Sequence, residues 1–448
     1  MSAALRAYLP SWIVPVVPEG RVLTDSAIVV EGVRIRALVN RSQLEIDYPG
    51  IERIELPGHA LMPGLINMHT HSALVLMRGL ADDRPLMQWL HEYIWPAEKK
   101  VMGPDYVRFG SRLAMAEMLR GGTTCFNDNY FFPDVTAEAA VATGMRAFVG
   151  MPVIAFPTAW ADTEDEYFRR GLAVHQRFVD HPLIGISFVP HAPYSVSDGA
   201  FRRIRTLSEE LDITVHLHLL EAPGEIETSR TEYGMHPLDR LQSLELLGPR
   251  LLAVHMTQLQ DADIARLARE GVHVIHCPDS NMKLASGICP VAALDRAGVN
   301  VSVGTDSAAS NNNLDLLAEV RQAALLAKVA SGDPEAVPAA RALSMATIHG
   351  ARALGMEHEI GSLEPGKQAD FITIDLDCIE TRPLHDVVSQ LVYATPRCQV
   401  TNVWVRGRQL LKNRELITLD EAELRASSLP WQQKIHDAVR KLEVHHVE

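Results

Sequence analysis

The sequence predicts an α/β fold: a (β/α)8 TIM barrel with a small β-sandwich built from its N- and C-terminal flanks. Three observations predict it. Short apolar runs recur through the middle of the 448-residue chain, each ending in polar or ionisable residues, with helical segments between them. Both flanks instead cluster β-branched residues around turns. Finally, His69-Thr70-His71 closes the first apolar run, and side chains at i and i+2 of a strand point to the same side.

Residues 1–60 read as strands and turns, with Ala27-Ile28-Val29-Val30 and the run 33–39 flanking Glu31-Gly32. The same texture returns over 361–418, in 370–375 and 400–405 followed by Gly407, so the two flanks are expected to pair. Between them, 61–360 is the expected barrel. Its strand ends fall at 67–71, 126–129, 148–152, 188–191, 215–218, 253–255, 274–277 and 301–306. Helices are expected over 106–120, 201–210, 261–270 and 314–330, and a charged C-terminal helix over 419–448. In such barrels chemistry sits at the C-terminal ends of the strands, where His69, His71, His218, His255 and Asp306 all fall.

The formal net charge is −14 and no basic stripe is present, which argues against a nucleic-acid partner. No run approaches the apolar length of a membrane span, and residues 1–15 lack the pattern of a signal peptide. Five cysteines without C-x-x-C pairs or regular spacing predict reduced thiols and a cytoplasmic setting.

A catalytic metal site needs three or four nitrogen and oxygen ligands and one position left for water. His69 and His71 offer two nitrogens. On the fifth strand, His216 and His218 share a parity, so parity cannot choose between them. The position of His218 at the strand end, with Glu221 three residues later, favours it. Asp306 adds a carboxylate from the eighth strand and is also placed to take a proton from water. One divalent metal is expected, zinc in first place, although nitrogen and oxygen ligands also suit iron and manganese.

Four segments then resemble the amidohydrolase superfamily, and within it the branch of adenosine-type deaminases and triazine hydrolases. They are Pro63-Gly64-Leu65-Ile66-Asn67-Met68-His69-Thr70-His71, the run His276-Cys277-Pro278-Asp279-Ser280-Asn281-Met282-Lys283-Leu284-Ala285-Ser286-Gly287, Gly304-Thr305-Asp306-Ser307-Ala308-Ala309-Ser310-Asn311-Asn312, and Gly361-Ser362-Leu363-Glu364-Pro365-Gly366-Lys367-Gln368-Ala369-Asp370. The resemblance covers nearly the whole chain. It implies mononuclear metal ligation by His69, His71, His218 and Asp306, because the fourth-strand end, Pro190-His191-Ala192-Pro193, lacks the bridging lysine of binuclear relatives. It further implies acid/base roles for Glu221, His255 and Asp306, and substrate contacts from Glu98, His191 and Glu221, with Glu98 in Trp95-Pro96-Ala97-Glu98 holding ribose hydroxyls.

The expected reaction is hydrolytic deamination of a small-molecule nucleoside, 5′-methylthioadenosine with adenosine and S-adenosylhomocysteine as related substrates, by a homo-oligomer (dimer or tetramer). The third strand runs 147–155 without the arginine that a substrate carboxylate would call for, which favours methylthioadenosine. The alternative within the branch is hydrolysis of a free base or a triazine ring, for which Glu98 would have no ribose to hold. A catalytically silent barrel would show decay of the metal set, and every required side chain is present. Trp89, Trp95 and Phe132 are expected in the core, and Arg84, Arg146, His349 and His385 are expected to be structural.

Overall fold

Alternation along the first strands gives the flank sheet two buried faces. The computed structural model describes residues 5–443. Strand β1 is Leu5–Ile13, β2 Ser26–Glu31, β3 Arg34–Asn40 and β4 Glu52–Pro63. Tyr8, Ile28 and Val30 join one apolar cluster, while their neighbours Ala7, Leu9, Ala27 and Val29 join another against Leu44. A register shift between Pro10 and Trp12 returns Ile13 to the cluster of Tyr8.

The eight barrel strands follow: β5 Leu65–Thr70, β6 Thr123–Asp128, β7 Arg146–Val153, β8 Ile184–Pro190, β9 Thr214–Leu219, β10 Leu251–His255, β11 His273–His276 and β12 Val301–Val303. They neighbour one another in chain order in a nearly closed parallel sheet, with helices between them. The helix Asp198–Leu211 shows why these segments form. Ser197 caps its start by accepting from Ala200 N–H, and Ala200, Phe201, Ile204 and Ser208 make the buried stripe. The expected strand end at 301–306 is shorter than read, since β12 stops at Val303. Gly304 then passes so close to the first strand that a Cβ would lie 2.6 Å from the backbone nitrogen of His69, and Asp306 turns with a left-handed φ of 58°.

The C-terminal strands, β13 Phe371–Asp375, β14 Val400–Val405, β15 Arg408–Lys412 and β16 Glu415–Leu416, join the flank sheet through the antiparallel pair β13–β4. The flanks thus form one eight-stranded sheet, ordered β16-β15-β14-β13-β4-β1-β2-β3. Phe371 stacks on Trp404 at 4.7 Å and meets Tyr8 edge-on at 5.0 Å in its core.

The chain gathers into two compact units. One holds Met1–Asn67, Glu117–Cys125 and Asp315–Thr418; the other holds Met68–Ala116, Phe126–Leu314 and Leu419–Glu448. Every expected site residue lies in the second. There the C-terminal helix, Glu421–Glu443, packs on the short helix Trp95–Val101, with Lys100 Nζ donating to Ala438 O at 2.8 Å. Residues 444–448 of the expected C-terminal helix, and 1–4 of the expected first flank, lie outside the described residues. No described helix is long and apolar enough to cross a membrane.

Candidate active site

His69 is buried in β5 and His71 follows that strand directly. Asp128 at the end of β6 fixes the segment between them: one carboxylate oxygen accepts from Thr70 Oγ1 (2.9 Å) and from Ser72 N–H (2.7 Å), the other from Ser72 Oγ (3.1 Å). The barrel closes over the site through Asp306 N–H donating to His69 O at 2.9 Å.

The tautomers follow from acceptors that cannot donate. His71 Nδ1 faces the carbonyl of Asn129 at 2.5 Å, and His218 Nδ1 faces that of His191 at 2.7 Å, so both nitrogens carry hydrogen. Their Nε2 atoms are therefore bare when the rings are neutral, yet they stand 3.3 Å apart. Asp306 Oδ1 lies 3.2 Å from His69 Nε2 and 3.3 Å from His71 Nε2. Its other oxygen is occupied by the hydroxyls of Ser280 (2.6 Å) and Ser310 (2.9 Å). His69 Nε2 is buried without a hydrogen-bond partner.

Electrostatics follow from burial and from this crowding. Burial pulls His69 down to about 4, against the pull of Asp306. Burial and the neighbouring histidines hold His218 well below the usual imidazole range. For His71, burial is outweighed by the hydrogen bond and charge of Asp306, and its pKa rises. Asp306 stays well below the carboxylate range in spite of burial, because His69 and His71 face it. With both rings neutral, lone pairs pointing at each other across 3.3 Å beside a carboxylate are repulsive unless a cation, a proton or a metal ion, sits among them. Neutral imidazoles with Nδ1–H anchored and Nε2 free are the form that ligates a divalent metal. Ligand atoms of His69, His71 and Asp306, and of His69, His218 and His255, lie within 4.8 Å of one another. The donor set fits a metal ion with three nitrogens and one oxygen.

The cluster opens into a cavity of about 600 Å³, a size suited to a small organic ligand. Glu221 lines it just beyond β9, and its Oε1 lies 3.8 Å from His255 Nε2. Burial raises the pKa of Glu221, an effect that Asp306 adds to and that His255 and His71 oppose. His255 is oriented by Nδ1 against Asn281 Oδ1 at 2.9 Å. His191 lines the same cavity, its Nδ1 against Ser195 Oγ at 2.9 Å, and burial lowers it to about 4.

The remaining wall comes from a helical stretch with a wide π-turn over Trp89–Ile94 leading into Trp95–Val101. Glu98 is buried in that wall, accepts from Tyr130 OH at 2.5 Å, and is pushed by burial up to about 7. Trp89 is buried, and Trp89 and Trp95 both face the cavity, whereas Phe132 packs on Trp160. Arg146 is buried and donates to Pro182 O, Arg84 lies over Tyr93 at 6.0 Å, and neither lines the cavity. His349 is buried in the other unit and His385 is exposed.

Sequence reasoning missed Tyr130, which follows an unremarkable Asn129, and Ser280, Ser310 and Asn281, which lie inside motifs without a periodic signal. It preferred His218 to His216 and gave His216 no role; the structure places that ring behind His69, with Nε2 2.9 Å from His69 Nδ1.

The Amidohydrolase family model matches residues 60–410. A 5-methylthioadenosine/S-adenosylhomocysteine deaminase of Teredinibacter turnerae is 52% identical over 95% of this chain and 96% of its own. A protein of the same name from Saccharophagus degradans is 45% identical over 95% of each chain. The crystal structure of an adenosine deaminase from Xanthomonas campestris with bound zinc superposes with a TM-score of 0.95 at 50% identity, covering 96% of this chain and 98% of that one.

Proposed function

The chain belongs to the amidohydrolase family, and from that premise we propose that it is a metal-dependent aminohydrolase converting 5′-methylthioadenosine and adenosine to their inosine analogues and ammonia. One observation carries the reading: bare Nε2 atoms and one carboxylate oxygen converge in the cavity that Glu221 and Glu98 also line. The deaminases of Teredinibacter turnerae and Xanthomonas campestris, each at least half identical to this chain, support it.

His69, His71, His218 and Asp306 would hold one divalent ion; the donor set suits zinc, iron or manganese, and the zinc in the Xanthomonas campestris structure favours zinc. When bound, such an ion acts as a Lewis acid and brings the pKa of its water from 15.7 to about 7.

The chain's own groups supply the rest. Adenine C6 is a poor electrophile until a ring nitrogen is protonated. Burial raises the pKa of Glu221, which favours the protonated form, and from that form it gives a proton to N1. Water adds at C6; one of its protons passes through Asp306 or His255 to the departing ammonia, and the other, on the new C6 hydroxyl, returns to Glu221 as the carbonyl forms. His191 contacts the substrate from the fourth strand. Glu98 accepts from the ribose hydroxyls, held in orientation by Tyr130.

The apolar wall of Trp89, Leu90, Ile94 and Phe156 suits a methylthio group. Among the described residues that line the cavity there is no arginine, and Lys99 is exposed, which favours methylthioadenosine over S-adenosylhomocysteine. On the same reading the enzyme acts as a homo-oligomer in the cytoplasm, a setting supported by the unpatterned cysteines.

The test is ammonia release by metal-replete protein on 5′-methylthioadenosine, adenosine, S-adenosylhomocysteine and adenine. Methylthioadenosine and adenosine are expected to turn over, with S-adenosylhomocysteine slower and adenine slowest. Release from none of the nucleosides would end the proposal.

A further inference from the structure

Glu225 touches neither the metal-ligand cluster nor the cavity, yet it is a buried carboxylate four residues beyond Glu221. It sits in the first turn of the helix Pro223–Tyr233 and reaches back past the helix start. One oxygen accepts from Leu220 N–H at 2.9 Å and the other from Glu221 N–H at 3.0 Å. Leu220 needs this support: it is a fully buried leucine with φ of 51°, in the left-handed region that side chains disfavour.

The other side of the same segment is held from the next strand. Thr257 N–H donates to Leu220 O at 3.0 Å, and Thr257 Oγ1 lies 2.7 Å from Glu221 O. Thr257 follows His255 by two residues, and both His255 (φ 74°) and Met256 (φ 49°) are left-handed. The strained ends of β9 and β10 are thus pinned to each other across the backbone of Glu221. Burial pushes Glu225 up to about 8 while the two N–H donors pull it down, and both of its oxygens accept from one dipeptide, which marks a committed use of a buried carboxyl.

We propose that Glu225 is a positioning residue for the proton donor: its carboxylate and Thr257 clamp the Leu220–Glu221 backbone and so fix where the Glu221 carboxyl meets the substrate ring. The proposal rests on the deaminase reading for its consequence, and on the clamp alone for its geometry. Glutamine at 225 keeps the size but presents an NH2 to one of two N–H donors, which breaks one side of the grip.

The experiment is a double-mutant cycle on E225Q and E221Q, with metal content and thermal midpoint measured on every protein. Misplacement by about 1 Å costs about 10²-fold, so E225Q is expected to lower kcat about 10- to 100-fold, with KM changed less than about 3-fold. In the E221Q background E225Q is expected to cost less than about 2-fold, because residues acting through one group are not additive. Equal factors in both backgrounds, or a parent-like kcat in E225Q, overturn the proposal. If E225Q does not accumulate as folded, metal-bound protein, T257V opens the other side of the clamp and enters the same cycle. Hydrogen exchange at Leu220 and Glu221 reads the clamp without turnover. Faster exchange in the variant is expected, and unchanged exchange overturns the assignment even if no nucleoside is deaminated, an outcome that would refute the functional reading separately.

Discussion

His216 Nε2 stands 2.9 Å from His69 Nδ1, with the two rings edge to face at 4.9 Å. Two histidines of one strand are thereby divided between two tasks. His218, at the strand end, turns Nε2 toward the cluster, while His216, one pleat deeper, orients the ring of a proposed ligand. Both are buried, and burial with the surrounding histidines keeps His216 well below the usual imidazole range.

Replacing His216 with phenylalanine removes that orienting bond and keeps the ring's bulk. Groups behind metal ligands typically contribute about 10- to 100-fold in metal affinity. H216F is expected to lose metal to a competing chelator at correspondingly lower chelator concentration. Affinity equal to the parent's would show that His69 needs no partner.

On the proposed reading, Glu98 separates nucleosides from free bases. A hydrogen bond to a charged group is worth about 1.5–3 kcal/mol, so E98Q is expected to lower kcat/KM for 5′-methylthioadenosine about 10- to 100-fold. Whatever residual rate the parent has on adenine should be nearly untouched. A uniform loss on both substrates would remove Glu98 from ribose recognition.

The same residue predicts a pH-dependent stability. Burial raises Glu98 from 4.5 to about 7, so the folded chain holds this proton more tightly than the unfolded chain. The associated stability is full below about pH 4.5 and is lost as pH rises through about 7. E98Q lacks the titration. Relative to the parent, it is expected to gain on the order of 3 kcal/mol between about pH 4 and pH 8. Denaturant unfolding of both proteins at several pH values, with metal in excess, measures it, and parallel curves would contradict it.

Metal removal is expected to destabilise as well as inactivate. A ligand present at about 1,000 times its dissociation constant stabilises by about 4 kcal/mol. Chelator-treated protein should melt lower than the zinc-loaded protein, and added zinc should restore both midpoint and activity. An unchanged midpoint would place the metal elsewhere.

Much of this site was legible in the sequence because its logic is periodic. His69 and His71 lie two apart at a strand end, so the pleat brings them together, and the apolar runs that mark strand ends also locate His218, His255 and Asp306. What was illegible depends on depth and on tertiary contact. His216 and His218 share a parity; the strand-end position picks out His218, but the bond of His216 to His69 forms only in the closed barrel. Tyr130 reaches Glu98 across 32 residues of chain, and no local pattern signals a bond of that kind. Asp306 was read as a strand end, but Gly304 and the left-handed turn at Asp306 release it from the strand after Val303. The flanks were legible as β-structure, but the parallel pair β1–β4 that organises them spans too long a connection to be read from texture.

The central claim is that water replaces the C6 amino group of a nucleoside whose sugar stays attached. Mass spectrometry of the product formed from 5′-methylthioadenosine in 18O-labelled water tests this most directly. One heavy oxygen is expected on the base in place of the amino nitrogen, with the methylthioribosyl group intact and one ammonia released per turnover. Free adenine, an unlabelled base or unchanged substrate would contradict it.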